Sequence, residues 1–156
     1  MAKKIKHIFI IFFLFGAFSL TLKSQDIQSI AVIVNDEVIS RYDVNQRVRL
    51  ILVTSGIPAT EENIKRIEEQ AIKALIDEKI QIQEAIKLEV PDSPNEINMM
   101  LDNIARGNQT TAEGILETIT NQGVNSETLL NQIKSELLWN KIVRGRFGSY
   151  INISDE

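Results

Sequence analysis

The chain has 156 residues, no cysteine and one histidine, and its 21 acidic residues exceed its 17 lysines and arginines, a net charge of −4. A chain without cysteine must hold its fold by packing rather than by disulfides, and it offers no thiolate for catalysis or metal binding. The acidic balance argues against nucleic acid or an anionic membrane surface as the main partner.

The first 24 residues have the layout of a secretory signal peptide. Three lysines precede an apolar run from Ile8 to Leu22, and small or polar residues follow it. A helix over this run rises about 22 Å, less than the hydrocarbon core of about 30 Å, which favours a cleaved signal over a retained anchor. We expect cleavage after Ser24 and export to the periplasm, although the triplet at 17–19 also fits the cleavage pattern.

Cleavage at this point changes the charge of the mature chain. It removes His7, four lysines and no acidic residue, which leaves 21 Asp and Glu against 13 Lys and Arg, a net charge of −8. The remaining residues, 25–156, suffice for one domain with its own core. We expect this domain to have no stable membrane insertion after processing.

The spacing of the apolar residues changes at Ser40, within the stretch VIVNDEVISRYDV at 32–44. Before it, β-branched residues flank Asn35-Asp36, a pair that tolerates a tight two-residue hairpin turn. After it, apolar residues recur at helical spacing, Ser40 is a capping residue, and Asp43 can close a capping box. The sequence therefore predicts a small hairpin that leads into a helix ending near Gly56, where Pro58 bars continuation.

A long helix is predicted from Glu61, after a Thr60 cap, to about Leu88, with Pro91 as its stop. At about 1.5 Å per residue it spans about 40 Å and forms the spine of the domain. Its apolar positions form two adjacent stripes and imply neighbours on two sides. These positions are Ile64, Ile67, Ala71, Leu75, Ile82 and Ile86, with Ile72, Ile76 and Ile80 beside them.

Three further helices follow. Ser93 caps the first, with Pro94 at its first position and Glu96 reaching back to the cap amide, and Gly107 ends it. A short helix is capped by Thr111 or Thr110 and ended by Gly123, and the last starts near Asn125 or Ser126 and loosens at Gly145 and Gly148. The predicted fold class is mainly α, a small amino-terminal β-hairpin followed by about five helices.

The order of several segments resembles the amino-terminal chaperone domain of the SurA family. These segments are VNDEVISRYDV, ALIDEKIQIQEAIKLEV, NIARGNQTTAEGI, NQGVNSETLLNQIKSELLWNKIVRGR and the terminal INISDE. The similarity covers residues 30–156. It implies a periplasmic, ATP-independent chaperone module that binds unfolded outer-membrane proteins or their extended segments and assists their folding and assembly.

The chain departs from this family in one large respect. SurA-like proteins continue into one or two parvulin-type prolyl isomerase domains and a final helix that packs back onto the amino-terminal domain, and these are absent from the 156 residues. The sequence is then either a fragment or a short relative in which the module stands alone. Two alternatives stay open: the amino-terminal part of a peptidyl-prolyl isomerase whose catalytic domain is missing here, or a membrane-anchored envelope interaction subunit.

The residues favour binding over catalysis. After processing, no histidine or cysteine is left for a nucleophile or a zinc site, and Asp77-Glu78 and similar runs have the spacing of a solvated helix face. No glycine-rich phosphate loop is present, so we expect no enzyme activity, no cofactor and no metal.

Apolar surface is the remaining source of function. Flexible methionines and a broad aromatic suit a surface that accepts varied partners, although each such residue also fits ordinary core. Self-association through the same surface is expected as well. The candidate client-binding residues are Met99, Met100, Ile115, Leu116, Ile119, Leu138 and Trp139.

Overall fold

Two short strands and five helices make up residues 29–147, the part of the chain that the computed structural model describes. The predicted signal peptide and the terminal INISDE lie outside these residues. The architecture confirms the predicted mainly α fold with an amino-terminal hairpin. The elements are β1 (Ile30–Val34), β2 (Glu37–Ser40), α1 (Arg41–Ser55), α2 (Glu61–Lys87), α3 (Pro94–Gly107), α4 (Ala112–Asn121) and α5 (Ser126–Phe147).

The hairpin forms where the sequence predicts it. β1 and β2 pair antiparallel, and Asn35 takes a positive φ of 55° in the two-residue turn. Val34 and Ile39 are buried, whereas Ile33 and Val38, which lie opposite each other in the pairing, are exposed. One face of the ribbon therefore joins the core and the other stays apolar and open.

The junction between hairpin and α1 is the predicted capping box. The Ser40 Oγ accepts a hydrogen bond from the Asp43 amide at 3.1 Å, and the Asp43 carboxylate accepts one from the Ser40 amide at 2.8 Å. Gly56 closes the helix in the left-handed conformation with φ of 65°. These contacts give both residues structural roles at the helix start.

The long helix α2 runs for 27 residues after its Thr60 cap and has neighbours on two sides, as predicted. Ile67 and Ala71 pack with the hairpin and α1, and Ala85 packs with α5. The neighbours do not cover the whole double stripe, because Ile64, Ile80 and Ile86 are exposed. The stripe is longer than the elements that cover it.

The later helices begin at the predicted caps, with two differences. Ser93, Thr111 and Pro94 take the predicted positions, but the Glu96 carboxylate bonds to Lys141 of α5 rather than to the Ser93 amide. α5 also stays helical through Gly145 instead of loosening there. For Glu96, a contact with the neighbouring helix α5 thus replaces the local hydrogen bond that the capping pattern predicts.

Within residues 29–147 the buried apolar side chains form three clusters. The first joins the hairpin, α1 and α2, the second joins α1, α3, α4 and α5, and the third joins α2 to the second half of α5. Their buried centres are, in that order, Val44 and Ile67, then Leu101, Ile119 and Ile133, then Ala85, Leu138 and Ile142.

Candidate functional site

Two of the seven predicted client-binding residues lie openly on the surface. Met99 of α3 has 57% of its area exposed and Trp139 of α5 has 40%. A thioether and an indole at these levels of exposure are available to a partner without rearrangement of the fold.

The other five residues belong wholly or partly to the core. Ile119 is 2% exposed and Leu138 is 3% exposed, so both are core residues. Met100, Ile115 and Leu116 are half-buried against the cluster that contains Ile119. The described part of the chain therefore has no single surface made of all seven. On α4, Ile115 and Ile119 lie one helical turn apart and share the inward face of the helix.

Sequence reasoning missed most of the exposed apolar side chains. They lie on the hairpin, in the first turn of α1, on α2 and on α3, and on the two later helices apolar periodicity suggested core. The alternation in the hairpin was a usable signal, since it places Ile33 and Val38 on the face opposite Val34 and Ile39. The large exposed apolar residues outside the predicted set are Ile30, Ile33, Val38, Tyr42, Ile64, Ile80, Ile86 and Ile104.

A largely buried ion pair joins α1 to α2, and it shows that the prediction of a solvated helix face is wrong for Glu78. The Arg47 guanidinium of α1 donates to both carboxylate oxygens of Glu78 in α2, at 2.5 and 2.8 Å, and also to the Thr128 carbonyl of α5 at 3.4 Å. The neighbouring Gln46 accepts from the Asn125 amide at 2.6 Å. Two adjacent residues of α1 thus fix the start of α5 against α2.

A cleft of about 230 Å³ opens beside this ion pair. It lies between the end of the hairpin, the first turn of α1, the middle of α2 and the first turns of α5. Its apolar lining is Ile39, Tyr42, Leu75 and Ile82, and its polar lining is Asp43, Arg47, Glu78, Lys79, Asn125, Glu127, Thr128 and Asn131.

One wall of this region is held by a polar clamp between hairpin and α2. Lys79 Nζ donates to Glu37 at 2.6 Å, and Gln83 Nε2 donates to Glu37 at 3.1 Å and to the Val34 carbonyl at 3.2 Å. The hydrogen bond from Lys79, followed by that from Gln83, lowers the pKa of the Glu37 carboxyl below its ordinary value of 4.5. Glu37 is therefore held in its charged form by residues of α2.

The side chains described above offer apolar contacts, hydrogen bonds and ion pairs. No group of three His, Cys, Asp or Glu side chains in this range is placed to hold a metal ion. None of the helices of this range combines the length and apolar character that crossing a membrane requires.

Comparison with known proteins identifies the domain. The model of the family described as SurA N-terminal domain matches residues 27–143. A protein named Chaperone SurA from Pseudomonas savastanoi is 26% identical over 85% of this chain and 31% of its own length. Chaperone SurA from Vibrio cholerae is 28% identical over 77% of this chain and 28% of its own length. An uncharacterised protein of Rickettsia prowazekii is 31% identical over 78% of this chain and 41% of its own length.

These matches concern one domain of longer proteins. The chain spans less than half the length of each of these three relatives. The matched domain is the SurA N-terminal domain.

Proposed function

This chain belongs to the SurA N-terminal domain family, and from that premise we propose that it is a periplasmic, ATP-independent chaperone module. Its clients are unfolded outer-membrane proteins, bound through extended apolar segments, whose folding and assembly it assists. The observation that carries the proposal is the family match, which extends from before the hairpin into the last turns of α5. The relatives named Chaperone SurA support the same activity.

The character of the surface supports this role. Met99 and Trp139 offer a flexible and a broad apolar contact, both suited to clients of varied sequence. The acidic excess of residues 25–156 keeps a protein with exposed apolar side chains soluble through charge repulsion. We assign client binding first to these two side chains, with the half-buried Met100, Ile115 and Leu116 as secondary contacts.

Export is the second part of the proposal. The apolar run from Ile8 to Leu22 directs secretion, and cleavage near Ser24 releases residues 25–156 into the periplasm. Mass spectrometry of the exported protein should show a new amino terminus between about residue 20 and residue 26. An intact amino terminus in the membrane fraction would instead support the membrane-anchored alternative.

The chaperone activity can be tested with purified residues 25–156. We expect this protein to slow the aggregation of an outer-membrane protein diluted from urea, as followed by light scattering. The double variant Met99→Asp/Trp139→Asp should hold the client less well, because it places two charges on the apolar contacts. The matched control is Asn98→Asp/Asn140→Asp, which adds the same charges at adjacent exposed positions and removes no apolar side chain.

The outcomes separate two claims. A parent protein without any effect on aggregation contradicts the chaperone function. A parent that is active, with a double variant as active as its control, contradicts only the assignment of client binding to Met99 and Trp139.

A further inference from the structure

We draw no further inference here: the strongest candidate, the open apolar face of the hairpin at Ile33 and Val38, carries none because nothing in residues 29–147 shows what covers it.

Discussion

Arg47 is the most deeply buried charged side chain described, with 4% of its side-chain area exposed, and Glu78 is only slightly more accessible. Removing two such charges from water costs several kcal/mol per ion, and their mutual attraction with good geometry offsets that cost only in part. The pair thus adds little net stability but ties α1 to α2, and the Thr128 carbonyl extends the tie to α5. The ion pair therefore serves to fix the relative positions of these three helices.

Removing one partner of the ion pair should therefore lower the free energy of unfolding more than replacing both partners by apolar residues. Glu78→Ala leaves the Arg47 charge buried without its partner and should lower the free energy of unfolding by about 3–5 kcal/mol. The double variant Arg47→Met/Glu78→Leu removes both charges and should recover most of that loss. Urea unfolding at neutral pH measures both, and a loss below about 1 kcal/mol in Glu78→Ala would contradict the burial argument.

The predicted client-binding residues give a second test at this scale. Ile119→Asp and Leu138→Asp each put an unpaired charge into the core and should unfold the domain. Met99→Asp changes an exposed position and should leave the free energy of unfolding within about 0.5 kcal/mol of the parent. Circular dichroism separates the two classes, and a folded Ile119→Asp protein would show that α4 does not depend on its inward face.

At the scale of the elements, the hairpin depends on α2. A two-stranded ribbon is marginally stable by itself, and here only one of its faces is buried, through Val34 and Ile39. The clamp of Glu37 with Lys79 and Gln83 supplements this apolar contact at the turn. The hairpin is thus positioned by its packing and by three side chains at its end.

The clamp predicts a pH dependence with a defined sign. Since Lys79 first, and Gln83 second, lower the pKa of Glu37 in the folded protein, its contribution to stability is present above pH 4.5 and is lost as pH falls through the lowered value. Glu37 is partly exposed, so Glu37→Gln should cost no more than about 1 kcal/mol at neutral pH. Urea unfolding should show this cost shrinking below pH 4.5.

The control for this measurement is Glu69→Gln, an exposed glutamate of α2. Its free energy of unfolding should stay within about 0.5 kcal/mol of the parent at neutral pH. A cost in Glu37→Gln that grows toward low pH would show that the clamp does not favour the charged carboxylate.

The elements themselves could be predicted from the sequence because their signals are local. The capping pair Ser40 and Asp43 lies within one helical turn, and Ser93-Pro94 marks a helix start without reference to the rest of the chain. Contacts between elements have no such signal: Arg47 meets Glu78 31 residues further along the chain. Neither the buried pair nor the cleft beside it could be read from periodicity.

Periodicity likewise does not determine which apolar side chains are exposed. Ile67 and Ile86 are the same residue type in stripes of the same helix, yet one is buried in the core and the other is open. A stripe indicates which face of a helix is apolar, and only the neighbouring elements decide how far along the helix that face is covered. The same distinction separates Trp139, which is available to a partner, from its chain neighbour Leu138, which is not.

At the scale of the whole molecule, two opposing forces act on the surface. Exposed apolar side chains on the hairpin, α2, α3 and α5 favour association, and the net charge of −8 on residues 25–156 opposes it. The balance between them depends on salt, because the screening length falls from about 10 Å at 0.1 M to about 3 Å at 1 M. Salt therefore offers a way to vary one force while the apolar contacts stay in place.

We predict that residues 25–156 self-associate through the same surface that binds clients. Sedimentation velocity should show the associated fraction rising with salt at fixed protein concentration, since screening removes the charge repulsion between copies. Trp139 is the only tryptophan of the sequence, so a blue shift of its emission reports burial of this surface when another copy covers it. Added unfolded outer-membrane protein should then lower the associated fraction while the emission stays shifted, because the client replaces the second copy over the indole. If saturating client leaves the associated fraction unchanged, the two kinds of binding use separate surfaces and the shared-surface prediction is wrong.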